Sequence, residues 1–540
     1  MTVTESKPED VAPLEGHDGD QPPVPTPPSG LLGVLATADH KTVGRLYVGF
    51  SLLFLIVFLG TTALITAEGI DASSLGPLAE NTFFQVQTLS HVGLFFLGIV
   101  PAFLGLALFV VPLQVGSPTA AFPRAVAASF WGWLLGAVVL IGSYLADGGP
   151  TGGEPDAIVL FFVAWAMVIG ALALGFISVI STVATARAKG MSLLRVPAFS
   201  WAMLVACSLW LFNLAALVGN LLIVYIDTKH DAVLYGASSN RWAQLAWIFA
   251  QPAVLSFAIP VVGILHDAVP VAARIRPVRY PVTLGAIGAF GALTFGAYAQ
   301  TAFNPDLVHE ALFVVASIVV VLPLLALLAG AADTVRQGRL RPTSAFVLGM
   351  VAHLLLLGAA GAAALYAIEP LNLAYTTWGT GVSKLVVAAA ITGFAAGLFH
   401  WGPKIWGHRV AEPLGKLVTL VFLAGGAAFA AGDLIAGANG QLPTPANGIA
   451  PVVQDGAELG ALLSTIGAGL LVFGVLLVVL AMLPAALRTG PRADADPWGG
   501  QTLEWSTASP PPYGNFLGPI PEVTSPSPLL DVREATKENA

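Results

Sequence analysis

The chain predicts an all-α integral membrane protein, a bundle of about twelve transmembrane helices with both termini on the cytoplasmic face. Three observations carry that reading. First, 56% of its 540 residues are hydrophobic and only 10% are charged, where a soluble domain carries about 25% charged residues. Second, apolar runs long enough to cross a bilayer, about 18 residues or more, recur along the chain. Third, the few basic residues fall in alternate connections, as cytoplasmic loops do.

The elements follow in order. Residues 1–38 are rich in Pro, Asp, Glu and Gly and are expected to form a disordered cytoplasmic tail. They lack the basic start and immediate apolar core of a signal peptide. A membrane domain over 39–488 holds spans expected near 44–66, 83–111, 126–146, 157–183, 196–226, 244–268, 281–303, 308–331, 344–367, 379–402, 415–435 and 460–487. Lys41 and Arg45 sit at the start of the first span. Arg124 follows the second, Arg187, Lys189 and Arg195 the fourth, and Arg274, Arg276 and Arg279 the sixth. Arg336, Arg339 and Arg341 follow the eighth, Lys404, Arg409 and Lys416 the tenth, and Arg488 and Arg492 the twelfth. The opposite loops hold only Lys229 and Arg241, beside acids such as Glu68, Glu154, Asp306 and Glu369. An even number of spans with both ends inside a bacterial-type plasma membrane accounts for this asymmetry. Residues 489–540, again rich in Pro, Ser and acids, are expected to form an extended cytoplasmic tail. The net charge of -8 resides in loops and tails. It says little about partners; the apolar spans make the lipid bilayer the expected partner, and no nucleic acid is expected.

Cys207 is the single cysteine, so no intrachain disulfide and no cysteine-based metal site can form. Well inside the spans the ionisable side chains are His91, His353 and Lys384, the others falling at span ends or in loops, and no Asp or Glu falls at mid-depth. Ionisable groups in hydrocarbon are costly and mark functional sites by default. His91 reads either as a hydrogen-bonding histidine between helices or as a heme ligand. His353 carries the same two readings. Lys384 either snorkels outward or pairs with Glu369 or Asp433.

Four segments then carry a resemblance. Residues 39–47 (DHKTVGRLY), 112–124 (PLQVGSPTAAFPR), 401–404 (WGPK) followed by 415–417 (GKL), and 497–512 (PWGGQTLEWSTASPPP) resemble subunit I of the cytochrome c oxidases, in the heme-copper oxidase superfamily. They occur in the family's order and span most of the chain. The resemblance implies a twelve-helix fold, two hemes and a copper ion, and oxygen reduction coupled to proton movement.

Taken residue by residue, that chemistry is missing. The family's helix-six motif, His-Pro-Glu-Val-Tyr, carries a copper ligand, a proton relay and a cross-linked tyrosine. Gln251, Ala253 and Leu255 stand at those three positions. The paired copper histidines of helix seven correspond to Gln300 and Thr301, and the proton-path lysine of helix eight to Leu327. The two heme-binding histidines of helix ten correspond to Gly381 and Ser383, and no histidine occurs between 354 and 399. The aspartate at the mouth of the family's proton path corresponds to Thr119. The arginines that hold heme propionates are absent near Pro443 and Thr444. The helix-two heme histidine, placed from Pro101, corresponds to Ser90. His91 is one residue away, a rotation of about 100° on a helix.

The resemblance therefore implies a silent subunit I-type protein with a structural, assembly or regulatory role beside subunit II- or III-like partners. No cofactor is expected, copper least of all, and His91 is the single candidate heme ligand. Two other readings stand beside it. One is an active terminal oxidase with non-standard ligands. The other is a single-heme or small-molecule binding or transport protein that uses the vacated cavity.

Overall fold

The structure, a computed structural model, describes residues 30–70, 80–230, 241–443 and 453–538. Most of the expected 1–38 tail, and Thr444, lie outside them. The chain divides into two compact units, Met1–Thr37 and Ala38–Ala540. The first unit shows a five-residue helix, Leu31–Leu35.

The described residues of the second unit are mainly helical and form no strand beyond one isolated bridge between His408 and Arg492. Its long helices are α1 (His40–Ala67), α2 (Thr82–Gln114), α3 (Pro123–Leu145), α4 (Pro155–Thr185), α5 (Ala198–His230), α6 (Ala253–Ala273), α7 (Tyr280–Leu293), α8 (Ala311–Gln337), α9 (Ser344–Tyr366), α10 (Trp378–Trp406), α11 (Glu412–Ala438) and α12 (Ala457–Ala486). Eleven of these are long and apolar enough to cross a membrane. The other, α7, has 14 residues and rises only about 21 Å, short of a hydrocarbon core of about 30 Å. The expected seventh span, 281–303, is thus about half helix.

Two further boundaries depart from expectation, both at prolines. The span expected from 244 begins as a short helix, Arg241–Leu245, and a 3-10 turn, Ala246–Phe249. The chain breaks at Gln251-Pro252 and resumes as a 3-10 stretch that becomes regular α-helix only at Ile259. Proline lacks an amide hydrogen and biases the residue before it away from the helical region. Helix α8 is interrupted at Val320, three residues before Pro323. There the missing N–H and the ring together disturb the preceding turn.

The most apolar stretches of α2, α6 and α10 are enclosed by the other helices. Within α2 the stretch Gly93–Ile99 is π-helical, a form concentrated at functional positions.

The described residues 489–538 pack against the bundle and include a 3-10 turn, Leu503–Ser506, and a terminal helix, with irregular chain between them. Asn515 accepts from Lys41 Nζ (3.0 Å), lies 3.2 Å from His40 Nε2 and donates to the Ser117 carbonyl (2.7 Å). Lys404 Nζ donates to the carbonyls of Ala495 (2.7 Å) and Thr507 (2.6 Å). Gln501 donates to the carbonyls of Pro270 and Ile275. A terminal helix, Pro528–Glu538, is tied down by ion pairs of Arg276 with Asp531 and Glu534. The segments that carried the family resemblance thus meet one another at a single end of the bundle.

Glu504 lies at the centre of that meeting and is fully buried. Its Oε1 accepts from Gln114 Nε2 (3.1 Å) and Trp401 Nε1 (3.2 Å), and its Oε2 has no partner. Gln114 also donates to Asp267 (2.7 Å). Burial pushes the Glu504 carboxyl above the usual carboxylate range, against the hydrogen bonds from Gln114 and Trp401 that lower it. The folded chain then retains a proton that the unfolded chain releases near pH 4.5. Stability from this group is fully present below that pH and is lost as pH rises through the folded-state value. Glu504→Gln keeps a neutral side chain of the same shape. Thermal melts between pH 5 and 8 are expected to show a flatter profile for the variant, with a higher melting temperature at pH 8. An unchanged slope would assign the pH dependence to other groups.

Candidate functional site

At the end of the bundle away from Glu504, α1, α2, α10, α11 and α12 surround a cavity of about 420 Å3. Of the residues singled out in the sequence, Ser90, His91, Ser383 and Lys384 all line it. Two pairs of neighbours on α2 and α10 therefore share one space.

On α2, Ser90 turns to α1, where its hydroxyl shares a hydrogen bond with Thr61 (2.6 Å). His91 Nδ1 donates to the Gln87 carbonyl one turn back (2.8 Å), and Nε2 has no hydrogen-bond partner among the described residues. The ring stands edge-on to Phe249 and Trp242, with centroids 5.8 and 6.1 Å away.

On α10, Lys384 forms an ion pair with Asp433 of α11 and donates to Ser464 Oγ of α12 (3.0 Å). Its ammonium also lies over the Phe429 ring, 4.8 Å from the centroid. The serine hydroxyl is 3.1 Å from Asp433 Oδ2. Of the two partners the sequence offered Lys384, the structure selects Asp433. That acid lies inside α11, which runs to Ala438 where the sequence suggested 435. Ser464 carried no sequence signal, because a lone serine in an apolar helix has many ordinary roles.

Gly381 faces elsewhere. A Cβ there would lie 2.7 Å from Leu434, so α10 and α11 touch where the family carries a histidine.

The residues at the family's copper positions do not share this cavity. Gln251 Nε2 donates to the Ala363 carbonyl (3.2 Å), and its Oε1 is buried without a partner. Ala253 is buried against Gly296, where a Cβ would approach it to 2.4 Å. Leu255 and Leu327 are fully enclosed apolar side chains. Gln300 accepts from Asn220 (2.8 Å) and donates to the Ala297 carbonyl (2.7 Å), with Thr301 half-buried beside it. Thr119 is exposed at the opposite end of the bundle. His353 donates from Nε2 to the Leu324 carbonyl of α8 (3.0 Å).

These donors can be set against the groups the resemblance implies. Copper in nitrogen-rich sites takes imidazoles. The positions here present two amides and a hydroxyl, and both amides bond to the protein. Among the described residues no three His, Cys, Asp or Glu side chains gather into a metal site. A heme held on both faces needs two axial ligands. The cavity offers one imidazole, His91, and across from it an ammonium already bound to Asp433 and Ser464. Neither the copper centre nor a doubly ligated heme fits this residue set.

Comparison with known proteins covers most of the chain. Residues 42–508 match the family model for cytochrome c and quinol oxidase polypeptide I. The chain is 29% identical over 536 residues to cytochrome c oxidase subunit 1 of Bacillus subtilis, covering 94% of this chain and 84% of that protein. It is 29% identical to a putative cytochrome c oxidase subunit 1-beta of Streptomyces avermitilis, covering 94% of each. It is 28% identical to cytochrome c oxidase subunit 1 of Corynebacterium glutamicum, covering 97% of this chain and 93% of that one. A chain from a cryo-EM structure of a heme-copper terminal oxidase dimer superposes with a TM-score of 0.64 at 15% identity, covering 93% of this chain and 88% of that one. It shares the fold.

Proposed function

The chain belongs to the cytochrome c and quinol oxidase polypeptide I family, and from that premise we propose that it is a catalytically silent subunit I-type protein. It serves a structural, assembly or regulatory role in a respiratory complex of a bacterial-type plasma membrane. Its neighbours there are subunit II- or III-like chains, and its termini face the cytoplasm.

One observation carries the reading. At the positions where the family places metal ligands, the side chains are Gln251, Gln300, Thr301, Gly381 and Ser383. None is an imidazole, and the amides of Gln251 and Gln300 are hydrogen-bonded within the protein. Without a metal centre, the family's oxygen chemistry has no site. The scaffold role draws support from the segments around Glu504, which keep the family's sequence and bind one another at one end.

The test is a reduced-minus-oxidised visible spectrum of the purified protein, with heme extracted, iron and copper quantified, and oxygen uptake followed with reduced cytochrome c. The expected result is less than stoichiometric heme and copper and no oxygen uptake. Two hemes and one copper per chain, with turnover, would overturn the reading and restore the active oxidase.

A further inference from the structure

The cavity between α1, α2, α10, α11 and α12 has a volume within the range of small-molecule sites, about 300–1,000 Å3. Its lining is divided. Ile65, Phe95, Val387 and Phe429 supply apolar surface. Gln87, Thr380, Ser383 and His91 Nε2 supply polar atoms with no hydrogen-bond partner among the described residues. Lys384 lies six residues into α10, about 9 Å below its start. Thr380 and Ser383 lie two and five residues into the same helix, and Gln87 and His91 lie in the first third of α2, so the polar wall is half-buried and runs from near the helix ends toward the ion pair.

Charge narrows the ligand class. Lys384 and Asp433 neutralise each other, and Ser464 bonds to the pair. The other charged residue on the lining, Glu68, caps the loop end of α1. A ligand with a net charge would enter the deep part of the cavity without a counter-ion, or would break the Lys384–Asp433 pair to obtain one. Both carry a large desolvation cost.

We propose that this cavity is a binding site for one compact, uncharged amphiphile. The hydroxyl or carbonyl group of the ligand bonds to Ser383, Thr380 and Gln87, and its flat apolar body lies against Phe95 and Phe429. The site rests on the silent reading to the extent that no heme occupies the same space.

The experiment uses the full chain in detergent micelles and radiolabelled 2-naphthol at neutral pH. The anionic 2-naphthoate and a cationic naphthylmethylamine serve as matched probes, and heme is quantified in the same preparation. One saturable site per chain is expected, preferring 2-naphthol to both charged probes by about tenfold or more. Thr380→Val keeps the shape of the side chain and removes its hydroxyl, so it is expected to weaken binding several-fold in a normally folded protein. Ser383→Leu fills the space and is expected to abolish binding. Absence of a saturable site, preference for a charged probe, or no change in Thr380→Val would overturn the site and leave the silent reading intact. Stoichiometric heme in the preparation would overturn both.

Discussion

Lys384→Met is expected to destabilise the fold by about 3–5 kcal/mol, the usual loss when one partner of a buried ion pair is removed. The side chains of Lys384 and Asp433 are only 11% and 18% exposed. The ammonium ties α10 to both α11 and α12 through Asp433 and Ser464. Without it, Asp433 keeps one hydroxyl neighbour at 3.1 Å and must either hold an uncompensated charge or take up a proton. Replacing both partners removes that penalty, because apolar side chains of similar volume satisfy the same space. Lys384→Met with Asp433→Leu is therefore expected to recover most of the loss. Thermal melts of the detergent-solubilised variants, arranged as a double-mutant cycle, measure the coupling. Strictly additive losses would show that the two side chains do not interact.

That pair also shows what a sequence yields and what it withholds. The spans were legible because their signal is local: a long apolar run must hide its backbone within itself, and a helix does so. The family was legible in the segments around Asp39, Pro112, Trp401 and Glu504. Their side chains bond to one another, so each is held by the rest. The partner of Lys384 was legible only as a choice between Glu369 and Asp433. Forty-nine residues separate the lysine from its acid, and no spacing rule covers that distance. The late start of α6 was readable in principle, since Pro252 sits inside the expected span and proline breaks helices. The hydropathy of the stretch outweighed that cue. Of the cavity, the sequence made legible Ser90 and Ser383 at replaced heme-ligand positions, with His91 and Lys384 beside them. Its shape was not legible, because it depends on where five helices separate, and pairwise packing sets that separation.

Packing of α1 on α2 yields the other large effect. Gly44 and Gly105 face each other. A Cβ on Gly44 would lie 2.6 Å from the Gly105 carbonyl oxygen, and one on Gly105 would lie 2.5 Å from Tyr47 Cβ and 2.9 Å from the Gly44 oxygen. Small residues at such a contact let helix backbones approach closely, which takes the place of hydrophobic driving force inside a bilayer. The obstructing atoms are backbone and Cβ atoms, so no rotamer change relieves the clash. Gly105→Leu must push the helices apart and is expected to cost more than the usual 1–3 kcal/mol of overpacking, enough to abolish recovery of folded protein. Gly49→Ala on α1 is the control. Nothing lies within 4 Å of its added Cβ, so it is expected to be neutral or to stabilise by up to about 1 kcal/mol. Fluorescence-detected size exclusion of the membrane extracts reads both. Equal recovery of the two variants would mean that α1 and α2 do not meet at Gly44 and Gly105. Thr62 and Thr66 on α1 and Ser90 and His91 on α2 line the same cavity, so its geometry would then be wrong as well.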